Sequence, residues 1–204
     1  MVNIISEIKT FVRDINLTLL SSSKKIDIDI SKRYHKKIRL FMPNRKLINY
    51  VTQTGGVLTG SRALRCFKID GKQMFDRHTH DWDFVVTSEM AFNICNKFDI
   101  SIIPGVDKVI SIKGQRHWRH PAYSDSYRVG PVDVQLIVKD ELPGYKEVKG
   151  VRIANFGYTI AQKSIMIDEL SEVSGKNGGT WRVGDEINKH IEDMTQLIIK
   201  FNCL

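Results

Sequence analysis

Residues 81–87, DWDFVVT, constrain this chain more than any other stretch, because acids and aromatic rings alternate there at the head of an apolar run. Side chains alternate faces along a strand, so Asp81 and Asp83 point one way while Trp82 and Phe84 point the other way, into a core. Two carboxylates side by side repel, and without a cation between them one is driven to protonate. The lead-in FDRHTH at 75–80 adds His78 and His80, so two chemistries compete. Either the histidines ligate a transition metal, or the aspartates are hard oxygen ligands for magnesium.

The chain around this stretch is 204 residues long, enough for one substantial core with a helical appendage. Charged residues at 26% and hydrophobic ones at 42% describe an ordinary globular protein, and no apolar run approaches the length of a membrane span. Glu7, Lys9, Arg13 and Asp14 interrupt the first apolar stretch, so no signal peptide is expected and the expected location is the cytoplasm. Cys66, Cys95 and Cys203 are too few and too scattered for a disulfide framework or a zinc ribbon. A formal charge of +8 favours a polyanionic partner, nucleic acid before membrane.

Apolar residues at Ile4, Ile8, Phe11, Val12 and Ile15 predict an amphipathic helix over 3–20. Residues 24–46 carry nine Lys or Arg against Asp27 and Asp29. There Tyr34, Ile38 and Phe41 suggest a basic amphipathic helix that Pro43 stops, either touching nucleic acid or packing on the main domain. Leu47, Ile48 and Val51 mark the inward face of a helix over 44–53. GGVLTGSRAL then reads as a buried strand, a Gly-Ser turn and the opening of a helix. DWDFVVT is a strand, SEMAFNICNKF a helix opened by Ser88, and DKVISIKG and VGPVDVQLIVKD are further strands. Two closing helices, YTIAQKSIMIDELSEV and GDEINKHIEDMTQLIIKF, flank the glycine-rich loop SGKNGGTWR. This order predicts an α/β (α+β) fold with flanking helices, divided into an N-terminal helix and basic segment (1–46), a core (47–150) and a C-terminal helical region (151–204).

A magnesium site for a pair of ions needs a third acid beyond Asp81 and Asp83. Asp133 has suitable surroundings, a lone acid among Val132, Val134 and Leu136 that burial would penalise unless a cation or basic group met it; a solvent-facing strand-edge acid is the alternative. Upstream, Gly60 permits a tight turn, and Ser61 stands at the mouth of the following helix, where free N–H groups favour phosphate.

The order Gly-Ser turn, Asp-x-Asp, then one further acid on a later strand resembles the nucleotidyltransferases of the DNA polymerase β type. GSRA at 60–63, DWD at 81–83 and Asp133 carry the likeness. More narrowly, RHTHDWDF, with Arg77, Thr79, Asp81, Asp83 and Phe84, is similar to the Arg-x-Ser/Thr-x-Asp-x-Asp-Phe signature of the abortive-infection type nucleotidyltransferase toxins. Lys163, and Lys189 with Asp193 one turn on, resemble that group's later basic helices. The likeness runs from about 47 to 200, with an insert, CFKIDGKQMFD, between turn and acids. It implies a polymerase-β-like core with a mixed sheet and transfer of a nucleoside monophosphate from a triphosphate such as ATP or GTP to an acceptor hydroxyl. It also implies two Mg2+ or Mn2+ ions on Asp81, Asp83 and Asp133, and nucleotide contacts from Gly60, Ser61, Arg62, Lys163 and Lys189, with Arg62 alternatively bracing Asp81. The implied acceptor is RNA, above all a tRNA 3′ end, with a protein hydroxyl or an aminoglycoside as alternatives, and the toxin likeness implies an antitoxin protein as partner.

The rivals are weaker. Zinc on His78 and His80 lacks the completing ligands of the His-x-His-x-Asp-His pattern, since Trp82 and Asp83 occupy those places. Neither DGKQ nor SGKNGG has Walker spacing. A non-catalytic nucleic-acid-binding module on a degenerate nucleotidyltransferase fold would use segment 24–46 and the loop KGQRHWRHPAY. Arg116, Trp118 and Arg119 there combine cations with a stacking surface and are equally candidate acceptor contacts.

Overall fold

In the computed structural model the described residues are 2–21, 25–30, 42–77, 79, 81–99, 109–113, 116–118, 133–177 and 181–203. Tyr34, Ile38, Phe41, His78, His80 and Arg119 lie outside them. The fold is mixed α and β, and the chain divides into two compact units, each built from separated segments.

The helical unit comprises Met1–Asp29, Leu64–Arg77 and Phe156–Leu204. It contains helices α1 (Val2–Ser21), α5 (Phe156–Asn177) and α6 (Trp181–Asn202) and a three-stranded antiparallel sheet. Ile8 and Ile15 of α1 are buried, as their spacing predicts, and α1 packs on both α5 and α6. On α6 the buried residues Ile187, Met194, Leu197 and Phe201 recur at helical spacing and form the inward stripe. Phe11 meets Phe201 edge to face at 5.6 Å, and Phe67 meets Phe156 at 5.1 Å, the geometry aromatic quadrupoles favour.

The small sheet runs β1 (Ile26–Ile28), β3 (Phe67–Ile69), β4 (Lys72–Gln73). One expectation changes here. Residues 26–28 are a strand, so helix does not extend through the start of the basic segment; Ile-Asp-Ile alternation opposite Phe67–Ile69 outweighs its helical pattern. The basic helix expected over Tyr34, Ile38 and Phe41, and with it the stop assigned to Pro43, lies outside the described residues. Pro43 itself stands second in α2 (Met42–Gln53), where the first-turn N–H it lacks has no partner to lose. The insert CFKIDGKQMFD folds as the β3–β4 hairpin, turned by Asp70 (φ 48°) and Gly71 (φ 77°).

The sheet unit comprises Ile30–Ala63 and His78–Asn155. Its seven strands lie in the order β7 (Arg116–Trp118), β6 (Val109–Lys113), β8 (Asp133–Lys139), β5 (Trp82–Thr87), β2 (Val57–Thr59), β10 (Val151–Ala154), β9 (Tyr145–Val148). Pairing is parallel for β5–β8 and β2–β10 and antiparallel elsewhere, so the sheet is mixed. Arg116 and Trp118, expected in a loop, belong to the edge strand β7, because residues 111–113 pair with 116–118 as a hairpin. A second positive-φ pair, Lys149 (51°) and Gly150 (75°), turns β9 into β10. Helix α2 buries Leu47, Ile48 and Val51, and α4 (Ser88–Lys97) buries Ala91, Ile94 and Cys95 while packing on β5 and β8. Ser174–Asn177, expected in the glycine-rich loop, continue α5 instead. Among the described residues no helix is long and apolar enough to cross a membrane.

Helix α4 begins at Ser88 as expected, with Thr87 as its N-cap, and the Thr87 hydroxyl accepts from the Met90 amide at 3.3 Å. Thr87→Ala removes that acceptor and lowers stability by about 1 kcal/mol, measured by urea unfolding.

Candidate active site

Strand β5 organises the site. Its burial alternates at the start and then closes: Trp82 is buried, Asp83 is partly exposed, and Phe84, Val85 and Val86 are buried. Trp82 and Phe84 stack at 6.0 Å with an interplanar angle of 14°, so the expected inward face is present. Asp83 pairs in register with Thr59 of β2 on one side and Gln135 of β8 on the other. Because β2 is antiparallel and β8 parallel to β5, one end of these three neighbouring strands gathers the C-terminal end of β2, the start of β5 and the start of β8. Gly60 and Ser61 follow Thr59, Asp81 precedes β5 by one residue, and Asp133 opens β8 two residues before Gln135.

The Gly-Ser turn lies against this acid end. Gly60 has φ 66°, and a Cβ added there would overlap the Asp83 carboxylate, so the backbone at 60 and the acid occupy adjoining space that only glycine leaves open. Gly60 also starts α3 (Gly60–Leu64), a helix of five residues. Ser61 is nearly buried, and Thr59 is fully buried with a hydroxyl that has no hydrogen-bond partner among the described residues. Arg62 of α3 is 6% exposed. Its Nε donates to the Asp81 carbonyl and its Nη2 to the Thr79 carbonyl, both at 3.0 Å, and its guanidinium lies 4.0 Å from the centre of the Trp82 ring.

Of the residues expected to act together, Gly60, Ser61, Arg62, Asp81 and Asp83 thus adjoin one another, and the backbone of residue 133 falls at the same strand end. Asp81 and Asp83 are each partly exposed, as donors to a shared cation must be. Among the described residues no group of three His, Cys, Asp or Glu side chains is gathered to hold a metal, and the Asp133 side chain is not among those described. The Asp83 carboxylate beside the Gly60 cradle, with Asp81 two residues before it, nevertheless has the hard-oxygen chemistry magnesium or manganese takes.

Lys163 and Lys189 belong to the helical unit and have partners of their own. Lys163 is 4% exposed, with its Nζ 2.6 Å from Asp193, 3.5 Å from His190 Nδ1 and 5.6 Å from the Phe75 ring centre. Asp193, fully buried, also takes both arms of Arg77, at 2.5 and 2.8 Å. Lys189, one turn before Asp193, pairs instead with Glu186 at 2.9 Å. Burial pushes the Lys163 amine down, with Arg77 and Lys189 adding to the fall and Asp193 opposing it. For Asp193 burial acts upward, but hydrogen bonds and charge from Arg77 and Lys163 prevail and hold the carboxyl below its usual range. The sequence singles out Arg77, Lys163 and Asp193 separately, as points of resemblance, but not their pairing. The signal was present: Lys163 sits between Ile160 and Ile167, and Asp193 four residues before Leu197, each a charge inside an apolar stripe.

Three outcomes follow from this geometry. Asp193→Ala strands two cations and costs about 3–5 kcal/mol in urea unfolding, whereas Lys163→Met leaves Asp193 with Arg77 and costs less. Since Lys163 has a lowered folded pKa, wild-type stability rises as pH climbs through that value toward the ordinary lysine range, and Lys163→Met loses the rise; the Asp193 contribution, present above the ordinary aspartate pKa, is lost as pH falls through its lowered one. Gly71, at φ 77° with open space around it, provides a control for Gly60: Gly71→Ala incurs only backbone strain of about 1–2 kcal/mol, and Gly60→Ala exceeds it by about 1 kcal/mol or more because Asp83 must also move. No family model, curated protein or solved structure matches the chain.

Proposed function

We propose that this protein is a metal-dependent nucleotidyltransferase with a polymerase-β-like core, moving a nucleoside monophosphate from a triphosphate to an acceptor hydroxyl, with RNA as the acceptor class. The observation that carries the proposal is the register of β5 between β2 and β8, which gathers the Gly60-Ser61 turn, the Asp-x-Asp pair and Asp133 at one strand end. The Gly60 cradle beside Asp83 and the Thr59 hydroxyl, which has no hydrogen-bond partner among the described residues, add support, since a phosphate ligand needs close backbone approach and polar partners.

In this reading Asp81, Asp83 and Asp133 would hold Mg2+ or Mn2+, which when bound would offset negative charge on the triphosphate and favour the attacking oxygen. The acceptor oxygen forms a bond to the α-phosphorus, the α–β phosphate bond breaks, and pyrophosphate departs with the electron pair as the hydroxyl gives up its proton. At five residues α3 carries little helix dipole, so the hold on the β and γ phosphates falls to the Ser61 hydroxyl and the amides after Gly60. Of the two lysines that the resemblance offers as nucleotide contacts, Lys189 is partly exposed and pairs with Glu186, whereas Lys163 is buried against Asp193. The net charge of +8 favours an RNA acceptor over a neutral small molecule.

The test is label transfer. The protein is incubated with Mg2+, each α-labelled triphosphate in turn, and total RNA. Label enters RNA with wild type and falls at least about 100-fold in Asp81→Asn and Asp83→Asn, the scale on which losing one electrostatic group at a reacting centre acts. A wild-type protein that binds RNA but takes up no triphosphate with metal present would overturn the proposal in favour of a non-catalytic binding module.

A further inference from the structure

We infer that Arg62 is a positioning residue for the acid pair and not a triphosphate contact; the inference rests on the nucleotidyltransferase proposal for its functional meaning, while its structural part stands alone. A guanidinium is planar and donates along fixed directions, so two carbonyls bound by one head are fixed relative to each other. Arg62 uses Nε on the Asp81 carbonyl and Nη2 on the Thr79 carbonyl, two residues apart on the segment that leads into β5. Its face rests on the Trp82 ring at 4.0 Å. Trp82 and Asp83 are consecutive on β5 and therefore project to opposite faces, so the guanidinium is stacked on the side away from the Asp83 carboxylate.

Buried to this degree, an arginine has little freedom to swing to a phosphate without surrendering two charge-assisted hydrogen bonds and a cation–π contact. What it does instead is mechanical. Asp81 precedes β5, and its carbonyl is held from α3 by the Arg62 guanidinium. Arg62 also follows Gly60 and Ser61 directly in the chain, so the same short helix that carries the phosphate-binding turn sets the height of the first carboxylate. The Gly-Ser turn and the Asp-x-Asp pair are thereby tied by one side chain.

The variant Arg62→Lys keeps charge and stem but loses the fork; Arg62→Gln, which removes the buried charge and keeps one amide donor, gives the same readouts where the lysine variant does not fold. Three quantities are measured on the full chain: backbone amide exchange across 79–84, Mn2+ affinity by titration calorimetry without nucleotide, and affinity of the Mn2+-saturated protein for a non-hydrolysable triphosphate. Exchange is expected to quicken about tenfold, as for loss of a hydrogen-bonded brace. Mn2+ affinity is expected to fall about 10–100-fold, the usual effect of losing an outer-shell orienting group, with triphosphate affinity at saturating Mn2+ little changed. Unchanged exchange and Mn2+ affinity with weakened triphosphate binding would overturn the inference and make Arg62 a nucleotide contact. If wild type binds no Mn2+, the metal proposal fails by itself, and amide exchange still decides: faster exchange supports the brace, unchanged exchange removes it.

Discussion

The register of β5 between its two neighbours is the constraint on which the rest of the site depends. Side-chain direction in a strand has period two, so slipping β5 by one residue would turn Asp83 into the core and Trp82 out of it. The stacked pair Trp82 and Phe84 prevents that slip, since exposing either ring forfeits roughly 2–3 kcal/mol of burial and leaves an acid in its place. Core packing on one face of β5 thus holds the acids on the other. The antiparallel neighbour then delivers the Gly-Ser turn, and the parallel neighbour delivers residue 133, to the same end of the sheet.

The helical unit has its own polar device, with a different energetic balance. Placing Arg77, Asp193 and Lys163 together in an apolar setting costs desolvation that the pairing repays only when every partner is present. Burial holds the Lys163 amine below its ordinary range, with the charge of Arg77 adding to the fall, while Arg77 and Lys163 together keep the acid ionised. Such a cluster stabilises by specifying which faces of α5 and α6 meet, because any other rotation of either helix leaves a buried charge alone.

Much of the architecture was legible because it was written as local pattern. The alternation in DWDFVVT, the strand, turn and helix in VLTGSRAL, the stripe Leu47, Ile48, Val51 and the final amphipathic helix all appear where periodicity places them. Two hairpins, β3–β4 and β9–β10, escaped because the turn pairs Asp70-Gly71 and Lys149-Gly150 went unweighed, although each meets the positive-φ demand of a tight hairpin. Pro43 stands in the first turn of α2, a place that suits its missing N–H as well as a helix end does. The interleaving of segments into two units and the pairing of Lys163 with Asp193, 30 residues apart, are long-range outcomes that a single sequence marks only as charges out of place within apolar stripes. At the acid end, sequence order brought out the turn and the acids and left Arg62 with two readings, nucleotide contact or brace on Asp81, between which only the direction of its side chain decides.

The central claim is that Asp81, Asp83 and Asp133 share a divalent cation beside the Gly60-Ser61 turn. Crystals grown with Mn2+ and a non-hydrolysable triphosphate, measured for anomalous scattering at the manganese edge, test it most directly. The account predicts manganese peaks bounded by the three carboxylates, with triphosphate oxygens on the side of Ser61. Manganese absent from that strand end, or a metal held instead by His78 and His80, would contradict it.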